Sequence, residues 1–346
     1  MLHIGHQHGC MPYVIALVTA LAVGDLFVPE NQINPTSKTD KTKNDDDDDE
    51  DTKMVYTNTD RLDDTAREQR HKAYARVHRL FSKHDDTSDS LKYLSAICAY
   101  GYAPADQADS FCDQMFLRAK AFKEATQLRQ QLTDITRANS APGTVPAYQA
   151  RLPEPSDKQI KALKQIVAAG FIDNVAIRAD LSPNPPEMHR TPKRAIDVPY
   201  FTLFKSHDAA PASDDLNEKA VFIHPTSILA KLAPKELPQY IVYSHLQQSA
   251  PSAIVSDSTP KVRMYPLVAP SGLQLSAIAH STPLLEYGKP IGKIETVEGS
   301  VPPRRTVWVV PSLVGEKGST GWPLPAKKVV QVKNAKEGLV IEKFCA

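Results

Sequence analysis

The 346-residue sequence predicts an α+β multidomain protein, an all-helical region followed by a small antiparallel β-barrel or sandwich. Apolar residues recur at three and four up to about residue 171, and five short β-rich runs separated by turn signals follow from residue 220. The 28 prolines, about 8% of the chain against a usual ~5%, place long connections between these parts.

Pro12 to Gly24 is an apolar run of 13 residues, shorter than the roughly 20 that a spanning helix needs. Two readings stay open. One is the apolar region of a secretory signal, with Ala20-Leu21-Ala22 resembling a cleavage site, although residues 1–11 hold three His and no Lys or Arg. The other is a buried helix with Pro12 in its first turn. Residues 29–59, with the unbroken acidic run Asp45 to Asp51, are expected to form a disordered insertion, since seven adjacent like charges repel and bury nothing. Asp60 to Ser82 reads as a basic amphipathic helix, with Ala73, Val77 and Leu80 on one side. Helices are expected from Ser90 to about Gly101 and from about Gln114 to Thr136, the latter from Leu117, Ala121, Ala125, Leu128 and Leu132. After a Pro/Gly/Ala connector, Ser156 caps a helix running to Phe171. The expected strands are 220–223, 240–243, 262–268, 306–310 and 328–332.

Charge is divided unevenly. Residues 1–150 carry 17 Lys+Arg against 22 Asp+Glu, and 151–346 carry 24 against 18, so the second part is the better polyanion binder. Cys10, Cys98, Cys112 and Cys345 show no C-x-x-C spacing, which removes the common zinc and redox motifs and favours a reducing compartment. No phosphate cradle of the G-x-x-x-x-G-K-[ST] type occurs; residues 288–294 come nearest, one residue short and with Pro290 removing an amide donor. G-x-G-x-x-G, G-x-S-x-G and H-E-x-x-H are also missing, and His3, His6 and His8 lack a carboxylate or thiol at ligand spacing. His224 ends an apolar strand before Pro225, where an imidazole hydrogen-bonded to the following turn is expected.

Four stretches together resemble the C-terminal part of DEAH-box RNA helicases. Phe111-Cys112, Phe116-Leu117, Lys120, Ala125, Leu128-Arg129 and Gln131-Leu132 are similar to that family's W-C-x-x-N-F-L-x-x-R-x-L-x-x-A-x-x-V-R-x-Q-L helix, with Met115 at the Asn position. Ala169-Gly170-Phe171 with Asn174-Val175-Ala176 resembles A-G-F-F-x-N-A-A. Residues 221–229 are similar to V-x-I-H-P-S-S-x-L, and residues 238–243 to P-x-W-V-V-Y. Gly321-Trp322-Pro323-Leu324-Pro325-Ala326 resembles the nucleolar branch, whose members act in the small-subunit processome.

The resemblance implies a helical ratchet over 1–150 interrupted by the 29–59 insertion, a linking segment over 151–195, an OB-fold barrel over 196–335 and a tail over 336–346. It further implies an RNA-binding accessory region of an ATP-dependent helicase in ribosome biogenesis, in the nucleolus. ATP and Mg²⁺ would belong to RecA-like motor domains, which this sequence lacks; the expectation is a fragment or truncated gene product. Expected partners are single-stranded or structured RNA, pre-ribosomal proteins and a helicase activator docking on the OB fold, with no membrane. The alternatives are a non-enzymatic interaction module in ribosome assembly and a secreted protein.

The residues expected to contact RNA are Lys261, Arg263 and Tyr265, which share one strand face at i, i+2 and i+4, with His224, Thr226 and Ser227 at the end of a second strand. Lys120 and Arg129 on the ratchet helix complete the set, with intradomain ion pairing as the competing role. No catalytic or metal-binding residue is expected. Trp322 is expected to be a core or interface anchor.

Overall fold

The computed structural model describes residues 1–33, 58–188, 191–204, 219–248, 261–280, 282–297, 302–315, 320–334 and 338–344. The chain divides into two compact units, Met1–Leu163 and Lys164–Ala346.

The first unit holds α1 (Leu2–Gln7), α2 (Met11–Val23), α3 (Glu30–Ile33), α4 (Asn58–Phe81), α5 (Asp89–Tyr102), α6 (Ala108–Gln114) and α7 (Ala119–Ala138). The apolar run becomes α2, a core helix packed on α5 and α7 with Val14, Ala16 and Leu17 fully buried. Pro12 lies in its first turn, where no donor is lost, and Gly24 ends it at φ 68°. Among the described residues no helix is long and apolar enough to cross a membrane. Cys10, Cys98 and Cys112 are free and buried, and burial pushes the Cys98 and Cys112 thiols up to about 11.

Two expectations are corrected in this unit. Of the expected 29–59 insertion, Glu30–Ile33 is helical with Glu30 Oε1 2.9 Å from His71 Nδ1, and Asn58 and Thr59 already belong to α4; Asp45 to Asp51 fall outside the described residues. The long helix starts at Ala119 rather than Gln114. Phe116 takes φ 52°, the Arg118 N–H donates to Leu26 O, and Leu117 bridges Phe27, so the chain turns before α7 can begin.

α8 (Asp157–Gly170) opens with the expected cap: Ser156 N–H donates to Gln159 Oε1 at 2.9 Å while Gln159 N–H donates back to Ser156 Oγ. The second unit then builds a closed five-stranded barrel from β1 (Val175–Arg178), β2 (Pro199–Thr202), β3 (Val221–Ile223), β4 (Tyr240–Gln248) and β5 (Val262–Val268). The order around the barrel is β1-β2-β3-β5-β4, antiparallel except for the parallel β3–β5 pair. Tyr200, Val221, Ile223, Leu229, Ile241, Tyr243 and Met264 fill it, and the Tyr200 hydroxyl donates to Pro238 O at 2.8 Å. α9 (Gly272–Ile278) follows, then β6 (Leu285–Tyr287), β7 (Ile291–Val297), β8 (Arg304–Val309), β9 (Pro311–Leu313), β10 (Trp322–Pro323), β11 (Lys327–Asn334) and β12 (Gly338–Phe344).

The barrel is composed differently from the expectation. Two of its strands, β1 and β2, lie in stretches not read as strands, and β1 falls inside the 151–195 linking segment. Val175, Ala176 and Ile177 are all buried, so they show no alternation to read. Conversely, the runs at 306–310 and 328–332 contribute β8 and β11 to a separate sheet, ordered β12-β11-β8-β7. The expected tail supplies β12, whose backbone pairs with β11 from Gly338 to Phe344. Trp322 is 8% exposed and paired with Leu313, a core anchor as expected.

Candidate nucleic-acid interface

β5 presents the face its alternation predicts. Val262 and Met264 point into the barrel, leaving Lys261, Arg263 and Tyr265 on the outside. Parallel pairing sets Phe222 of β3 beside Arg263, and antiparallel pairing sets Gln247 of β4 opposite it. Three strands therefore contribute to one outer face.

The first row on this face is cationic. Lys261 Nζ and the Arg263 guanidinium lie 4.7 and 5.7 Å from the Phe222 ring centre. Arg263 Nη1 donates to Ile196 O at 2.6 Å and Ile223 O at 3.3 Å, which ties the 3-10 turn Ala195–Asp197 to the barrel. Lys261 Nζ donates to Asp197 Oδ1 at 3.3 Å, and Arg194 Nε to Asp197 Oδ2 at 2.9 Å. Burial pushes the Arg263 guanidinium below its ordinary value, with Asp197 opposing. Burial raises the Asp197 carboxyl, but the hydrogen bonds from Arg194 and Lys261 outweigh it and hold the group low. Half-buried Lys261 and Arg263 thus keep positive charge at the surface while also serving the fold.

The second row is aromatic. The ring of Tyr265 lies between His224 and His245, at centroid distances of 4.2 and 4.3 Å and an interplanar angle of 18° to each. A register shift between Tyr243 and Leu246 inserts the extra residue that swings His245 over Tyr265. Thr226 N–H donates to His224 Nδ1 at 3.3 Å, which puts the ring proton on Nε2, 3.1 Å from the Tyr265 hydroxyl; that hydroxyl donates to Gln247 Oε1 at 2.6 Å. His224 therefore has the turn-bound imidazole that its position before Pro225 predicts. Its Nδ1 also lies 2.7 Å from Thr226 Oγ1.

Two of the remaining expected residues, Ser227 and Arg129, are engaged by the fold. Ser227 is buried and its Oγ accepts from Leu229 N–H, capping a 3-10 turn. Arg129 is 5% exposed; its Nη2 donates to the carbonyls of Gln149 and Ala150, and its guanidinium lies 4.8 Å from the Tyr148 ring centre. It is held within the helical unit by carbonyls, not by the ion pair expected as its competing role. Lys120 is exposed on α7. Sequence reasoning missed His245, Gln247, Phe222 and Asp197. Phe222 carries a signal in the i+2 spacing that places it on the same face as His224, whereas the bulge that aims His245 leaves no such signal.

Residues 1–93 match a family described as helicase associated domain (HA2), ratchet-like, and residues 163–271 match the oligonucleotide/oligosaccharide-binding (OB)-fold family. The chain is 32% identical to the probable ATP-dependent RNA helicase DHR1 of Saccharomyces cerevisiae, over 99% of this chain and 26% of that protein. It is 31% identical to a putative ATP-dependent RNA helicase of Schizosaccharomyces pombe, over 96% of this chain and 24% of the relative. With the probable ATP-dependent RNA helicase DHX37 of Homo sapiens the identity is 26%, over 95% and 23%. The chain spans about a quarter of the length of these curated relatives. The two family matches, in the order of the helical unit and the barrel, and the similarity to RNA helicases across nearly the whole chain support a DEAH-box helicase C-terminal region.

Proposed function

We propose that this chain is the RNA-gripping accessory region of an ATP-dependent RNA helicase that acts in ribosome biogenesis, in small-subunit rRNA processing and small nucleolar RNA release, in the nucleolus. The observation that carries the RNA reading is the outer face of the OB barrel, where two cations and a ring ladder lie side by side on three strands. An oligonucleotide-binding groove needs these two components, positive charge for phosphates and rings for bases. The nucleolar reading rests on the Gly321 to Ala326 motif. In this reading ATP and Mg²⁺ belong to motor domains, and the chain supplies grip without hydrolysis. Pre-ribosomal proteins and a helicase activator docking on the barrel are the accompanying partners.

One observation favours an interaction module as the second reading. Trp308, Ile291 and Ile294 on the four-stranded sheet are each nearly half exposed, which is unusual for large apolar side chains.

The test is the purified chain with single-stranded oligoribonucleotide. Salt-sensitive binding without RNA-stimulated ATP hydrolysis is expected. Affinity no better than for a neutral polymer, or genuine ATP turnover by this chain, would overturn the proposal.

A further inference from the structure

We infer that an unpaired RNA base stacks on the outer face of His245, as the fourth ring of the His224–Tyr265–His245 ladder. This deepens the RNA-binding reading above and rests on it. A ladder with centroids 4.2 and 4.3 Å apart covers both faces of Tyr265, so that ring, the obvious stacking platform from sequence, is closed to a base. The open position is at the end of the stack. His245 is exposed, and β1 pairs with β4 only from Tyr240 to Val242, so among the described strands β4 beyond that point has β5 alone as a neighbour. Asn174 reaches this edge as far as Ser244, accepting from Tyr243 N–H and donating from Nδ2 to Ser244 O at 3.0 Å, and among the described residues the side of His245 facing away from Tyr265 borders no strand.

The stack is held before any ligand arrives. Ser244 Oγ lies 2.9 Å from His245 Nδ1 and 3.4 Å from Tyr265 O, and the chain Thr226–His224–Tyr265–Gln247 fixes the other two rings. A base added to such an end loses little ordering entropy from the protein. The occupant is set by the neighbouring row. Gln247, two residues along β4 from His245, is the register partner of Arg263, and Arg263 and Lys261 lie further along the same outer face, over the Phe222 ring of β3. A π face on a surface that also carries cations matches a nucleobase on a phosphate backbone. Every base has such a face, so recognition here is of unpaired RNA without sequence preference.

The experiment uses the full chain and a single-stranded oligoribonucleotide carrying 2-aminopurine, whose fluorescence is quenched on stacking. Binding with quenching is expected for the wild type, with His245→Ala weakening affinity about 5- to 150-fold and losing the quenching. His245→Phe, which keeps a stacking face, should stay within about 3-fold of the wild type. Wild-type binding without quenching, or a folded His245→Ala that binds and quenches like the wild type, overturns this inference and leaves the RNA reading standing. No binding by the wild type overturns both. If His245→Ala melts abnormally, the wild-type quenching and the His245→Phe affinity decide, since loss of either contradicts the stack. Binding lost in His245→Ala but unaffected when the probe is placed inside a duplex would also contradict it, because a base within a duplex is stacked on both faces by its neighbours.

Discussion

Arg129 on α7 and Arg263 on β5 are both arginines on regular elements of a chain that resembles an RNA helicase, and the two units use them in opposite ways. Arg129 is sealed in the helical unit, where its guanidinium holds the carbonyls of Gln149 and Ala150. Arg263 is half-buried on the barrel, binding two carbonyls from one side and leaving the rest of its charge at the surface. Spacing tells which face a cation occupies, and the loops that pack on that face decide whether it serves the fold or a ligand.

Substitutions should separate the two uses. Arg129→Ala carries the largest expected stability effect, about 3 kcal/mol, because two carbonyls around a buried guanidinium lose a charged donor. Thermal unfolding checks this, and RNA affinity of the folded variant should keep its salt dependence; wild-type melting would break the contrast. Gly101→Ala probes the same strap from below, since a Cβ there would collide with the Ala150 carbonyl oxygen. It should cost about 1–3 kcal/mol in denaturant unfolding. Arg263→Ala should cost about 1 kcal/mol by releasing the Ala195–Asp197 turn, and should also weaken RNA binding, the double signature that Arg129 lacks. Lys120→Ala, on an exposed helical position, should fall within about ±0.5 kcal/mol.

A smaller effect sharpens the barrel side. Asp197 has its carboxyl lowered in the fold, so its contribution is fully present above the unfolded value near ~3.9 and is lost as pH falls through the lower folded value. Acid unfolding of the wild type should therefore lose a little stability below about pH 4 that Asp197→Asn never had. Identical acid limbs for the two proteins would show that the Arg194–Asp197–Lys261 contact does not hold the turn.

The legible and illegible parts of the site differ in physical kind. The exposed face of β5 follows from a period of two, because Val262 and Met264 are apolar and their neighbours are not. The turn-bound His224 follows from Pro225 and Thr226 beside it. His245 was illegible because β4 carries a bulge, and an extra residue breaks the alternation at the place where the ring is aimed. β1 was illegible because it is buried on both faces, and β12 because its pairing depends on β11, which precedes it across residues 335–337. The family resemblance located Arg129 but could not show that residues 149–150 return to cover it.

The central claim is that RNA crosses the outer face of β3, β5 and β4. Its most direct test is the salt dependence of single-stranded oligoribonucleotide binding by the full chain, wild type against Lys261→Gln, between about 50 and 200 mM salt. If Lys261 neutralises one phosphate, the slope of log affinity against log salt should be shallower in the variant by about 0.7, with stability lowered by no more than the about 1 kcal/mol of one partly exposed ion pair. Equal slopes in two folded proteins would contradict the claim, and the cationic row would then serve only to tie Asp197 to the barrel.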